Sequence, residues 1–328
     1  MVRNRSANSA AAAHPADAWD AYWQGTRETA AHDKGGALEP VLKTHWDTVF
    51  TRVLADCPDP LVLDIACGNG ALADHARRHK ADLQLICSDY SLGALRNLLQ
   101  RAPDNLAVAA DAFYPPFAAG SLDLLVSQFG IEYAGIEAIV AASDLVAPGG
   151  TLALVVHLRE GAIHEECARN EALIRDIEAC GLLARSAAAF RAGFALNPDD
   201  ATTVDAFRQA ERELAPALRT VEALLGTHGS AAAAGLAHRL YSDIAHMYRR
   251  MGAYELSDVL AWLEGMQGQL VAYRQRMAAM VAAGLEPAAI ERIVSELSAR
   301  DWRCCVNEGL RVADDAPQFA WALTLVRT

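Results

Sequence analysis

Three aspartates mark the ends of three successive predicted strands. Asp64 lies in the stretch LVLDIACGNG, residues 61–70, where a short apolar run leads into a glycine turn. Asp89 follows about 20 residues beyond Gly68, where an acid can accept hydrogen bonds from both hydroxyls of a ribose. The carboxylate of Asp111 and a nearby backbone N–H could bind the edge of an adenine, with Phe113 against its face. Each aspartate alone could instead cap a helix, but three of them beside a glycine turn favour a nucleoside ligand.

The spacing of the glycine turn excludes two common phosphate-binding loops. Gly68 and Gly70 let the backbone approach a ligand without interference from a Cβ atom. A dinucleotide fingerprint needs G-x-G-x-x-G, whereas Ala66 and the two glycines occupy alternate positions and residue 73 is alanine. No G-K-[ST] follows, so a Walker loop is excluded as well. The turn therefore fits a nucleoside ligand held without a phosphate cradle.

Composition limits the class of partner. The 328-residue chain is 52% hydrophobic and carries a net charge of −12, which disfavours nucleic acid and favours a small-molecule substrate. Its seven cysteines form no C-x-x-C pair, so we expect reduced thiols in a cytoplasmic protein. No apolar run is long enough for a transmembrane helix, so no membrane is expected to be a partner. Residues 1–17 are predicted to be a disordered leader.

Strands alternate with helices through the first half of the chain, which predicts a parallel sheet covered on both faces. A helix over 39–56 precedes the first strand, and the turn APGG precedes the fifth. Near the C-terminus, a helix and two closely spaced strands, WRCCVNE and FAWALTLVR, predict an antiparallel hairpin at the sheet edge. The five earlier predicted strands are LVLDIA, LQLICSDY, LAVAAD, LDLLVSQF and TLALVVH.

A large all-helical insertion is predicted over 160–285, between the fifth strand and the closing helix–strand–strand unit. Pro216 is expected to kink or break one of its helices. In 255–283 apolar residues recur in alternating steps of three and four, which indicates a coiled-coil-like seam. The seam could pack within the insertion or form a homodimer. A lid over the substrate pocket is the role we expect for the insertion.

Four motifs carry a resemblance to a known family. VLDIACGNG, SDYS, DAFYPPFAAGSLDLLVSQFG and LVAPGGTLALVV resemble the successive motifs of the class I S-adenosylmethionine-dependent methyltransferases. The resemblance implies a doubly wound, seven-stranded, mostly parallel Rossmann-like sheet, formed by 18–159 and 286–328. Ala66 replaces the commonest first glycine and Pro115 a frequent leucine, and neither change threatens cofactor binding.

The resemblance also assigns residues to the cofactor, S-adenosyl-L-methionine. Asp64 and the turn 66–70 would contact its methionine part, Asp89 its ribose, and Gln128 would lie beneath the sulfonium. Trp23 belongs to AWDAYWQG, a segment that in this family can fold over the cofactor, although ordinary packing of an N-terminal helix would also explain it. The complete implied set is Asp64, Ala66, Cys67, Gly68, Asn69, Gly70, Asp89, Tyr90, Asp111, Ala112, Phe113, Gln128 and Trp23.

The catalytic residue is harder to predict, because methyl transfer depends on alignment and exclusion of water, and needs a base only if the acceptor must lose a proton. His157 ends the fifth strand, and Glu132 and Tyr133 follow the fourth, so all three could face the acceptor cleft. Each could equally have a structural role. No N/D-P-P-Y sequence follows the fourth strand, which again argues against a nucleic-acid substrate.

The predicted function is methyl transfer to an O, N or C atom of a small molecule. The alternatives are a non-catalytic S-adenosylmethionine-binding interaction or sensor protein, and a protein methyltransferase; a nicotinamide oxidoreductase is disfavoured by the glycine spacing. The histidines of the insertion form no H-x-x-x-H pair, so we expect no metal site; they are His164, His228, His238 and His246.

Overall fold

The structure is a computed structural model that describes residues 19, 22, 23, 38–55 and 57–328. The predicted leader, 1–17, and most of the aromatic segment 18–25 lie outside the described residues. The chain forms two compact units. The first extends to Gly161 and resumes at Ala283, and the second is Ala162–Ala282. These bounds differ by a few residues from the predicted insertion.

The first unit is built on a seven-stranded sheet in the order β3-β2-β1-β4-β5-β7-β6. Strands β1 to β5 are mutually parallel, and β7 runs antiparallel to both β5 and β6. This is the mostly parallel, seven-stranded architecture with a closing hairpin that the sequence predicts. The strands are β1 (Leu61–Ile65), β2 (Gln84–Asp89), β3 (Leu106–Ala109), β4 (Leu122–Gln128), β5 (Val146–His157), β6 (Trp302–Leu310) and β7 (Ala320–Arg327).

Among the described residues, five helices accompany this sheet. Because apolar side chains occupy both faces of the central strands, β1 and β4 are almost fully buried and read as continuous apolar runs. Residues of α10 pack in the same core as β7, through Ile293 and Leu325 among others. The helices are α1 (Leu38–Leu54), α2 (Ala71–His79), α3 (Leu92–Arg101), α4 (Ile136–Ser143) and α10 (Pro287–Ser298).

Strand β5 is longer than the sequence predicts. The predicted turn APGG, residues 147–150, lies inside the strand, which begins at Val146. Val146 pairs with Leu122, and the next pair along β4 is Leu124 with Thr151, so the register shifts between these two pairs. Residues 147–150 have no pairing partner in β4 and Gly149 has a left-handed φ of 83°, so the predicted turn is an irregularity within the strand.

The second unit is entirely helical among its described residues. Pro216 does not break α7, which continues to His228, and the alternative of a kink stays a prediction. In α9 the residues Val259, Leu263 and Leu270 are buried in a core shared with α5 to α8, so packing within the unit accounts for the periodic seam. Its helices are α5 (Ala162–Ala179), α6 (Leu182–Phe194), α7 (Ala201–His228), α8 (Leu236–Arg249) and α9 (Leu256–Ala283). None of the described helices in either unit is long and apolar enough to cross a membrane.

Candidate cofactor and active site

The loops after β1 and β4 meet where the strand order reverses. Ser127 Oγ donates to the carbonyl oxygen of Ile65 at 2.8 Å and accepts from the N–H of Ile131 at 3.1 Å. Gly130 lies so close to the first loop that a Cβ atom there would be 2.5 Å from the carbonyl oxygen of Ala66. Ligands of open α/β sheets bind in the crevice at such a reversal, so both loops border the expected ligand site.

The glycine turn is held in place by Asp89, the last residue of β2. Asp89 Oδ2 accepts from the N–H of Gly68 at 2.7 Å, and Oδ1 accepts from the N–H of Ser91 at 2.7 Å. Gly68 has a left-handed φ of 53°, which favours glycine. Each carboxylate oxygen has two lone pairs, so Asp89 can brace the turn and still accept hydrogen bonds from ribose hydroxyls.

Asp64 supplies a buried carboxyl group beneath the turn. Its residue is 1% exposed, and Oδ2 has no hydrogen-bond partner among the described residues. Burial, and secondarily the nearby charge of Asp89, raise the pKa of Asp64 well above its ordinary value of 3.8. A buried carboxyl group with an unsatisfied oxygen is suited to a cationic partner such as an ammonium group.

The loops after β2 and β3 each carry an exposed aromatic side chain. Asp111 Oδ1 accepts from the N–H of Phe113 at 2.9 Å, which closes a tight turn, while Ala112 packs against the sheet core. Phe113 is 37% exposed and Tyr90, after β2, is 54% exposed. Their faces are thus available to a planar ligand, although Asp111 already uses one oxygen to shape its own loop.

Gln128, at the end of β4, is oriented by α1. Its Oε1 accepts from Trp46 Nε1 at 2.6 Å, and Trp46 is 1% exposed. From the sequence, Trp46 is recognisable only as an apolar residue of the first helix. The hydrogen bond joins residues 82 positions apart, and no local pattern signals it.

The described aromatic residues of segment 18–25 contact the glycine turn and the loop after β4. Asn97 donates to the carbonyl oxygen of Trp23, and a Cβ atom at Gly68 would be 2.8 Å from the Trp23 ring. The ring centroids of Trp19 and Tyr133 are 5.5 Å apart, in an edge-to-face arrangement. Trp19 and Trp23 stack at 6.2 Å, so this pair spans from the turn to Tyr133.

A buried carboxylate–imidazole pair lies beside Tyr133. Glu132 Oε1 accepts from the main-chain N–H of His157 at 2.9 Å and lies 2.7 Å from its Nδ1. Glu132 belongs to a short 3-10 helix, Ile131–Ala134, and His157 is the last residue of β5. The pair is nearly inaccessible, at 3% and 1% exposure. In the tautomer that donates Nδ1–H to Glu132, Nε2 is the nitrogen with the free lone pair.

Aromatic rings surround His157. The ring centroid of Phe129 lies 4.7 Å from that of His157, and that of Tyr133 lies 5.7 Å away, edge to face. Phe129 adopts a left-handed φ of 53°, an uncommon conformation for a bulky residue that concentrates at functional sites. The pair therefore borders an apolar, aromatic surface.

Residues 62–150 match the family model described as a methyltransferase domain. They form a class I S-adenosylmethionine-dependent methyltransferase domain. Two curated relatives are demethylmenaquinone methyltransferases: that of Renibacterium salmoninarum is 30% identical over 109 residues, 33% of this chain and 45% of the relative. That of Beutenbergia cavernae is 31% identical over 119 residues, 34% of this chain and 48% of the relative. The chain thus spans about half the length of the curated relatives it matches.

Among solved structures, an S-adenosylmethionine-dependent methyltransferase from Mesorhizobium loti aligns with 20% identity. The alignment covers 34% of this chain and 56% of that chain, with a TM-score of 0.29. The likeness is too weak to bear on the activity of the methyltransferase domain.

The methyltransferase domain has side chains that fit S-adenosylmethionine. The unsatisfied Asp64 Oδ2 suits the amino group of its methionine part, and Asp89 suits its ribose. The turn residues Cys67 and Asn69 are buried, and the turn backbone runs between these two acids.

Of the residues predicted in the methyltransferase domain, the structure joins two groups by direct contact. Asp89 accepts a hydrogen bond from Gly68 in the first group. In the second, Glu132 and His157 are within hydrogen-bond distance, and the ring of Tyr133 lies against that of His157. No contact links Asp111 or Phe113 to either group among those described. The adenine role of these two residues therefore stays a prediction.

Proposed function

We propose that the chain transfers the methyl group of S-adenosylmethionine to a small molecule whose acceptor atom must lose a proton. The observation that carries the proposal is the hydrogen-bonded pair of Glu132 and His157 beside Tyr133. Such a pair is the arrangement expected of a general base held by a carboxylate. When bound, S-adenosylmethionine supplies an electrophilic methyl group on a positively charged sulfur.

The cofactor is proposed to lie across the ends of β1 and β2. Asp89 would hold the ribose hydroxyls, and Asp64 the amino group of the methionine part. Support comes from the buried, unsatisfied Oδ2 of Asp64 and from the braced turn beside Asp89. Gln128, oriented by Trp46, would border the reacting end.

His157 is proposed as the catalytic base. Its Nε2 would take the proton of the acceptor, whose bonding electron pair stays on the acceptor and becomes the nucleophile. Glu132 would act as a positioning residue, because it holds Nδ1–H and stabilises the positive charge that the ring acquires. The low accessibility of both residues keeps water from competing for that proton.

The acceptor is proposed to be a planar aromatic molecule with an acidic hydroxyl or an activated ring carbon. The rings of Phe129 and Tyr133 flank His157, and that of Trp19 continues the aromatic surface. Aromatic rings favour stacked and edge-to-face partners. The names of both curated relatives, demethylmenaquinone methyltransferases, support an acceptor of the quinone class.

The test combines binding and turnover in the purified protein. S-adenosylmethionine carrying a labelled methyl group is incubated with reduced naphthoquinones, and the product is identified by mass spectrometry. Calorimetry measures cofactor binding in parallel. We expect binding, a labelled naphthoquinol, and loss of at least about 100-fold in kcat for His157→Gln with cofactor affinity preserved.

His228→Gln is the matched control, because this exposed histidine belongs to the helical unit. It should retain the wild-type kcat. Binding without turnover on any acceptor would favour the non-catalytic sensor. A His157→Gln variant with wild-type kcat would remove the proposed base, and labelling of protein instead of the quinol would favour a protein methyltransferase.

A further inference from the structure

A second cluster of polar side chains lies between α1 and α2. His75 Nε2 and His79 Nε2 are 2.8 Å and 2.9 Å from the same oxygen, Oδ1 of Asp47. These three ligand atoms all lie within 4.8 Å of one another. We refer to Asp47, His75 and His79 as the Asp47 cluster.

The sequence builds the Asp47 cluster through helical spacing. His75 and His79 are four residues apart in α2, so both point from one face toward the neighbouring helix. Their rings are nearly parallel, with centroids 5.6 Å apart. The ring of Phe50, in α1, lies 5.8 Å from each and closes the apolar side. This H-x-x-x-H pair lies outside the insertion, whose histidines were the ones considered in the sequence analysis.

We propose that the Asp47 cluster binds one divalent transition-metal ion of the zinc class and thereby fastens α1 to α2. Two imidazole nitrogens and one carboxylate oxygen are a ligand set that zinc, nickel and cobalt accept. Around a tetrahedral zinc ion, ligand atoms lie about 3.3 Å apart at ordinary bond lengths. Each histidine nitrogen lies about 0.4–0.5 Å closer to Asp47 Oδ1 than in that geometry.

Two basic side chains, those of Lys43 and Arg78, contact the Asp47 cluster and affect it in different ways. Lys43 Nζ donates to Asp47 Oδ2 at 2.6 Å, which leaves Oδ1 directed at the histidines. This is the orienting role of an outer-shell partner. Arg78 donates to His75 Nδ1 at 2.7 Å. Because arginine can only donate, the ring proton of His75 is on Nε2 when no ion is bound.

Metal binding thus requires a change of tautomer at both histidines, because each Nε2 that lies against Asp47 Oδ1 must offer its lone pair to the ion. At both rings the proton moves from Nε2 to Nδ1, and at His75 the Arg78 donor therefore leaves. Arg78 is exposed and can turn into solvent. The hydrogen bond from Arg78 therefore stabilises the metal-free form of His75. Removal of Arg78 should strengthen the binding of the metal ion.

The Asp47 cluster is joined to the cofactor site through its two helices. Trp46, next to Asp47 in α1, donates to Gln128. Helix α2 begins directly after Gly70 of the glycine turn. An ion that fixes α1 against α2 would stabilise the frame of that turn, and this inference does not depend on methyl transfer.

The experiment titrates chelator-treated full-length protein with Ni²⁺ and with Zn²⁺ by calorimetry, and measures melting temperature with each ion. We expect one ion bound per chain and a higher melting temperature. His79→Ala should weaken binding by more than the roughly 10–100-fold that loss of an outer-shell partner costs. Arg78→Ala should tighten it, a result that a merely structural set of hydrogen bonds would not produce.

Two further variants test whether Asp47 is a ligand of the ion. Asp47→Asn retains the shape of the side chain and should weaken binding, while His228→Ala, in the other unit, should leave it unchanged. The seven cysteines are all free thiols and are the main competing ligands. Binding of equal strength in the wild type and His79→Ala would assign the ion to those thiols and overturn the proposal, as would no binding at all.

Discussion

One carboxylate oxygen of Glu132 lies within hydrogen-bond distance of two nitrogens of His157, the main-chain nitrogen at 2.9 Å and Nδ1 at 2.7 Å. The main-chain hydrogen bond joins the loop after β4 to the end of β5, and the ring contact favours the tautomer that is protonated at Nδ1. The same oxygen therefore contacts both the backbone and the ring of His157, and in the proposed reaction this contact would leave Nε2 for the acceptor. Sequence separation of 25 residues makes this a product of the sheet topology.

Glu132→Gln should lower kcat with little change in the dissociation constant for the cofactor. The amide oxygen can still accept from His157, but it carries no charge to stabilise the protonated ring. Replacing a charge-assisted hydrogen bond by a neutral one costs about 1–2 kcal/mol, or about 10-fold in rate. Steady-state kinetics with calorimetry measures both quantities.

A spectroscopic readout separates positioning from a purely structural role. Imidazole ¹⁵N NMR should show His157 protonated at Nδ1 in the wild type, and a mixture of tautomers in Glu132→Gln at unchanged melting temperature. Wild-type kcat in this variant would show that the carboxylate plays no part in turnover.

Asp64 should make cofactor affinity depend on pH. Burial raises its pKa in the folded protein, so the carboxyl stays neutral above the ordinary value of 3.8. The ammonium group of the cofactor favours the charged form, so affinity should rise as pH rises through the folded pKa, with release of a proton. Calorimetry in buffers of different ionisation enthalpy detects that proton, and Asp64→Asn should abolish its release.

The same residue should affect stability without the cofactor. A raised folded pKa means that the stability contributed by neutral Asp64 is fully present below pH 3.8 and is lost as pH rises through the folded pKa. Asp64→Asn should therefore melt at a higher temperature than the wild type at neutral pH. A lower melting temperature would show that the buried carboxyl is already satisfied by the protein.

Asp89→Ala should weaken cofactor binding by about 1–3 kcal/mol, because charge-assisted hydrogen bonds to the ribose are lost. It should also loosen the turn, since the N–H of Gly68 and the N–H of Ser91 lose their acceptor. Asp89→Asn is the matched variant, because its amide oxygen can keep one of those bonds. Unchanged affinity in Asp89→Ala, measured by calorimetry, would refute the ribose assignment.

Gly68→Ala should displace Trp23 as well as strain the backbone. Left-handed φ in an alanine costs about 1–2 kcal/mol, and the added Cβ would lie 2.8 Å from the Trp23 ring. Gly120→Ala is the control, because Gly120 has a similar φ of 64° and a Cβ atom added there would meet no other atom within 4 Å. Denaturation should show a larger loss of stability in Gly68→Ala than in Gly120→Ala. Tryptophan emission should shift to the red only in Gly68→Ala.

Local sequence was sufficient for the sheet and for the strand-end acids. Continuous apolar runs ending in Asp64 and Asp89 are visible in the sequence, and their burial follows from parallel strands covered on both sides. It was insufficient at Pro216, where α7 continues through the residue that was expected to interrupt it.

The residues of the candidate site were predicted from the sequence, but the hydrogen bonds between them were not. His157 and Glu132 could be assigned to neighbouring strand ends, but their shared hydrogen bond depends on the register of β4 and β5. The Trp46–Gln128 bond and the Asp47 cluster join helices to distant elements. Such contacts arise from tertiary packing, which periodicity along one element does not encode.

The most direct test of the cofactor site is a crystal structure of the protein with S-adenosylhomocysteine. We predict the ligand over the turn 66–70, with its ribose hydroxyls on the Asp89 carboxylate and its amino group at Asp64. A ligand bound elsewhere, or the turn directed away from it, would contradict the assignment on which the proposed reaction depends.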